Sequence, residues 1–121
     1  MRILVIDDDV DIVRLQDIKL KKAGHEVWTA TDGISGTAAA KEHRPEVIIL
    51  ETELTGRHGH DLIRGFKKGR KKPPLVIIVS HQDSDEAIEA GLAAGADDYM
   101  TKPFSPRVLA ERIRVTAARN A

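Results

Sequence analysis

The sequence predicts an α/β domain in which helices cover both faces of a parallel five-stranded sheet. Three observations carry this expectation. Ile3 to Ile6, Val47 to Leu50 and Leu75 to Val79 are short, unbroken apolar runs rich in Val and Ile, the pattern of strands buried on both faces. Stretches of helix-forming residues separate the runs. Turn chemistry marks the boundaries, at Asp32-Gly33, Arg44-Pro45, Lys72-Pro73-Pro74 and Ser105-Pro106.

After the first run, the segment from Asp9 to Lys22 reads as a helix, although Ile12, Val13, Leu15, Ile18 and Leu20 spread over a wide arc. Ala23-Gly24 stops it. Glu26 to Ala30 is a weaker second strand, with Trp28 as a packing residue at the sheet edge. Leu62, Ile63 and Phe66 fall at helical spacing, as do Ile88 with Leu92 and Leu109 with Ile113. A short fifth strand surrounds Tyr99-Met100, and Pro106 suits the first turn of a last helix capped by Ser105. Strand and helix thus alternate five times, which implies right-handed crossovers and a three-layer sandwich. No internal repeat or linker divides residues 1–121, so the chain reads as one domain.

At 121 residues the chain has the size of one compact core. Lys plus Arg and Asp plus Glu number 19 each, so the whole domain exerts no net pull on nucleic acid. There is no cysteine, which excludes disulfides and thiolate metal sites. The apolar run before Asp7 is too short for a signal peptide or a membrane span, and a cytoplasmic location is the default. Lys67, Lys68, Arg70, Lys71 and Lys72 form a basic cluster that reads as a solvated helix end and loop. His58 and His60 lack a third convergent ligand and read as solvated loop histidines.

In an open parallel sheet, ligands bind beyond the carboxyl ends of the strands. Asp7-Asp8-Asp9 follow the first strand, Glu51 the third, Ser80 the fourth and Lys102-Pro103 the fifth. Hard oxygen ligands at one place suit Mg²⁺. A lysine and a hydroxyl beside them suit a phosphoryl group.

The ordered set Ile3 to Asp9, Pro45 to Glu51, Val76 to Ser80 and Gly95 to Phe104 resembles the receiver domain of two-component response regulators, the CheY-like superfamily. That resemblance covers the whole chain. It implies a flavodoxin-like (βα)5 fold with strand order 2-1-3-4-5, and a signalling module, not an enzyme. It also implies Mg²⁺ held by Asp7, Asp8 and the residue at position 51, Ser80 on the phosphoryl oxygens, Tyr99 as the switch aromatic, Lys102 on the phosphate, and a cis bond at Pro103. The expected partner is a sensor histidine kinase or another signalling protein, with no membrane contact.

Two departures stand beside the match. Glu51 occupies the position of the phosphorylated aspartate, and in the next loop Thr55 and His58 replace a proline and an aspartate. One extra methylene moves the carboxylate by about one bond length, and such a displacement costs about 10²-fold in a reaction that needs aligned atoms. The expectation is an atypical pseudo-receiver with weakened Mg²⁺ binding that acts through protein–protein interaction. Lys102 to Pro106 with Leu109 and Arg112 resembles the OmpR/PhoB-like transcription regulators, which dimerise through the fourth helix, fifth strand and fifth helix. Asp98, Arg112 and Arg119 match charged positions of that face, while Ile88 and Val108 make it more apolar. DNA contact would then require a C-terminal effector domain absent from this chain. The alternative is a Mg²⁺-dependent phosphohydrolase of haloacid-dehalogenase type, for which Asp7 and Asp9 have the spacing, but Asp11 stands where a small hydroxyl or β-branched residue belongs.

Overall fold

The computed structural model describes residues 1–54 and 59–119. Strands and helices alternate as β1 (Arg2–Ile6), α1 (Val10–Lys22), β2 (Glu26–Ala30), α2 (Gly33–His43), β3 (Val47–Leu50), α3 (Gly59–Lys67), β4 (Leu75–Ser80), α4 (Asp85–Ala93), β5 (Asp98–Thr101) and α5 (Pro106–Arg119). The sheet is parallel throughout, in the order β2-β1-β3-β4-β5. This is the flavodoxin-like arrangement that the sequence resemblance implies.

Side chains alternate across each strand, so β1 sends Ile3 and Val5 to one face and Leu4 and Ile6 to the other. On the first face these meet Val13 and Leu20 of α1 and Leu109 and Ile113 of α5. On the second they meet Ala40 of α2 and Leu62, Ile63 and Phe66 of α3. Burying each large aliphatic side chain contributes roughly 1.5–3 kcal/mol. A polar residue inside β1, β3 or β4 would lose that and add a desolvation cost. Gln16 of α1 is such a polar residue elsewhere: it is 1% exposed, and its amide has no hydrogen-bond partner among the described residues.

The helix ends follow from local chemistry. Asp9 lies just outside α1 and caps it, its Oδ1 accepting from the backbone N–H of Asp11 at 3.0 Å and of Ile12 at 3.3 Å. Gly24 ends that helix with φ of 97°. Arg44 occupies the equivalent left-handed position after α2, with φ of 47°. On α4 the buried residue is Gly91, where a Cβ would stand 2.7 Å from Ile78 Cδ1 and 3.1 Å from the Tyr99 ring. The missing side chain is what lets α4 seat on the sheet.

Trp28 lies on the edge strand β2 and stacks on His43, with ring centroids 4.4 Å apart. Two sequence expectations need correction. His60 lies in the first turn of α3, not in a loop, because that helix already begins at Gly59. Lys67 is not a solvated residue: its Nζ donates to Asp97 Oδ2 at 2.6 Å, and the same oxygen accepts from the Val76 N–H, tying α3 to the start of β4. Thr55 and His58 lie outside the described residues. Among the described residues, no helix is long and apolar enough to cross a membrane.

Candidate functional site

The sheet register decides which strand ends meet. Ile6 lies opposite Leu50, and the Glu51 N–H donates to the Ile6 carbonyl at 2.9 Å, which sets Asp7 beside Glu51. On the other side Ser80 lies opposite Thr101, and the Lys102 N–H donates to the Ser80 carbonyl at 2.7 Å. Three elements far apart in sequence thereby deliver two carboxylates and an ammonium to one place. The Lys102–Pro103 bond that follows is cis.

At the centre, Lys102 Nζ donates to Asp7 Oδ2 at 2.7 Å and lies 2.9 Å from Glu51 Oε2. All three side chains are at most 5% exposed. The remaining carboxylate oxygens are also engaged, Asp7 Oδ1 by the Asp9 N–H at 2.9 Å and Glu51 Oε1 by the Glu53 N–H at 3.1 Å. Burial raises the Asp7 pKa above its ordinary value, and hydrogen bonds from Lys102 and Asp9 offset only part of that. Burial alone would lower the Lys102 pKa, yet its contacts with Asp7 and Glu51 outweigh it and hold the ammonium above the usual lysine value. Burial thus decides the direction at Asp7, and the two carboxylates decide it at Lys102.

Asp8 differs from these two acids: it is exposed and forms no hydrogen bond or ion pair among the described residues. Carboxylates suit Mg²⁺ in kind, but the two buried ones are already bonded to a cation. Among the described residues, no three acidic or histidine side chains form a group that could hold a metal ion. A metal would have to displace Lys102 to use Asp7 and Glu51.

A hydrogen-bonded chain runs outward from Glu51 toward β5. The Glu53 carboxylate accepts from Gln82 Nε2, the Gln82 N–H donates to Ser80 Oγ at 3.2 Å, and Tyr99 Oη donates to the Gln82 carbonyl at 2.7 Å. Ser80 is fully buried and Tyr99 half-buried. Burial raises the Tyr99 pKa, so its hydroxyl stays a donor at neutral pH. Sequence reasoning missed Glu53 and Gln82. Glu53 stands three positions beyond the end of β3 and Gln82 two beyond the end of β4, past the first residue after each strand.

These features define a class before any individual protein. The chain belongs to the response regulator receiver domain family, whose model matches residues 3–114. Among curated proteins it is similar to the transcriptional regulatory protein KdpE of two Mycobacterium tuberculosis strains, with 39% identity over 118 residues, covering 98% of this chain and 51% of KdpE. The chain thus spans about half the length of that relative. Among solved structures it resembles the BeF3-activated DrrB receiver domain, with TM-score 0.86, 32% identity and 96% of each chain covered. It also resembles the receiver domain of the Francisella response regulator 1452, with TM-score 0.88, 30% identity and 98% of each chain covered. The phosphohydrolase alternative finds no support, because the family is a signalling one and Asp9, its second required acid, is engaged as the cap of α1.

Beyond the cluster, Arg112 grips Asp98 through two hydrogen bonds of 2.7 Å each. Burial alone would raise the Asp98 pKa, but the guanidinium and the Tyr99 N–H more than offset it and hold the pKa below the ordinary value. A carboxylate with a depressed folded pKa contributes stability above its unfolded pKa and loses it as pH falls through the folded value. Arg112→Ala should raise the Asp98 pKa, followed by carboxyl NMR, and cost about 0.5 kcal/mol at neutral pH given the exposure of Arg112. That difference should shrink as pH falls below about 4.

Proposed function

We propose that this chain is an atypical receiver module of two-component signalling, in which Glu51 stands at the phosphoacceptor position and phosphoryl transfer is slow or absent. The observation that carries the reading is the ammonium of Lys102 shared between Asp7 and Glu51. A nucleophilic carboxylate needs one oxygen free and aligned near ~3–3.5 Å from phosphorus. Here Oε2 is held by Lys102 and Oε1 by the Glu53 N–H. The Glu51 side chain reaches the lysine directly, so one ammonium offsets part of the charge of the acidic pocket. Mg²⁺ binding is correspondingly weak, since a metal must displace Lys102 to use Asp7 and Glu51, with Asp8 as its remaining ligand.

Output then depends on protein contacts. A sensor histidine kinase or a related signalling protein is the upstream partner, and Ser80 and Tyr99 transmit the state of the pocket through Gln82. DNA would be reached through a separate effector domain. Receiver family membership and likeness to the KdpE half-length support this reading. The test is mass spectrometry after incubation with a small phosphodonor and Mg²⁺. The wild type should gain no phosphoryl group, while Glu51→Asp should gain one slowly and only with the metal. Uptake on Glu51 as fast as on the aspartate would overturn the reading; uptake by neither would place the block in the Thr55 and His58 loop.

The α4–β5–α5 face is our candidate for self-association. Val108 is 45% exposed and Ile88 half-buried there, with exposed Arg119 near the end of α5. Asp98 and Arg112 already pair within the chain, so apolar contact must carry a dimer. Changing Ile88 and Val108 together to lysine should leave the fold intact and lower the dimer fraction in sedimentation velocity. A wild type that stays monomeric at high concentration would remove this proposal.

A further inference from the structure

At the end of the sheet opposite Lys102, a groove of about 740 Å³ opens where β1, β3 and β4 begin. Arg2, Arg44, Arg70, Lys71 and Lys72 line it, against one acid among the described residues, Glu46. That acid is already answered, its Oε1 accepting from the Arg2 N–H at 3.1 Å and lying 3.5 Å from the Arg2 guanidinium. Arg44, Arg70, Lys71 and Lys72 form no ion pair among the described residues, and all four are exposed. The floor is apolar, built from Pro45, Pro73, Pro74 and Leu75. Past Arg70 the surface continues into a smaller depression of about 410 Å³, whose lining includes Leu62 and Phe66 with Lys41, Lys68 and Asp61, the last paired with Arg64.

Arg44 adds an independent observation. Its left-handed φ of 47° is one that glycine adopts without penalty and an arginine does not. The position closes α2 and offers its carbonyl to Arg2 Nε at 3.2 Å, a bond that any residue could accept. A cation therefore stands where glycine would be the more stable choice, the kind of strained position that motivates a functional hypothesis.

We propose that this groove is a docking surface for an acidic protein segment that also carries apolar side chains. Its cations match carboxylates, and its proline and leucine floor matches apolar side chains between them. Nucleic acid fits less well: among the described residues no aromatic ring lines the larger groove for bases to stack on. The surface is remote from Glu51, and the proposal does not depend on how that residue reacts.

The test uses the full chain and a fluorescent synthetic peptide alternating glutamate and leucine, followed by anisotropy. The peptide should bind, and added salt should weaken it. Arg70→Glu, Lys71→Glu and Lys72→Glu combined should lower the affinity at least about tenfold at unchanged melting temperature. Arg44→Gly should also weaken binding while leaving the melting temperature equal or higher. Absence of peptide binding at low salt, an affinity indifferent to the charge reversals, or tighter binding of random duplex DNA than of the peptide would each overturn the proposal.

Discussion

One ammonium held between two buried carboxylates organises the upper end of this domain. Lys102, Asp7 and Glu51 come from three strands, and each is nearly withdrawn from water. Leaving a buried charge unpaired costs about 3–5 kcal/mol, so each of the three depends on the others. The cluster therefore fixes the relative positions of the ends of β1, β3 and β5. It also binds the β3–α3 and β4–α4 loops, since Glu53 hangs on Glu51 while Gln82 hangs on Ser80 and Tyr99.

The two ends of the molecule differ in charge although the whole is neutral. Asp7, Asp8, Asp9 and Glu51 gather at the carboxyl ends of the strands, and Arg2, Arg44, Arg70, Lys71 and Lys72 at the amino ends. The parallel sheet itself produces this separation, because every loop of one kind falls on one edge. A partner attracted to one end is repelled from the other, which gives such a small domain directional recognition.

Much of this was legible in the sequence, and what was not has physical reasons. The central strands announced themselves because burial on both faces demands unbroken runs such as Val47 to Leu50. That Asp7, Glu51 and Lys102 meet was legible because a parallel sheet collects strand ends. Lys67 was misread because its partner Asp97 lies 30 residues away, beyond any local pattern. His60 was misread because α3 starts one residue earlier, at Gly59. Glu53 and Gln82 sit in exposed loops, where no periodicity separates a connecting side chain from a solvated one. The sequence set Lys102 and Glu51 at strand ends that meet, but only the geometry shows one lysine serving both acids.

The central claim is that Lys102 acts as a built-in cation, occupying the carboxylates that a divalent ion would need. Calorimetric titration of Mg²⁺ into the wild type and into Lys102→Met, with circular dichroism to verify that the variant is folded, tests it most directly. The account predicts weak binding to the wild type and a clear gain in affinity when the ammonium is removed, because Asp7 and Glu51 are then released. Wild-type affinity equal to or higher than that of the variant would contradict it.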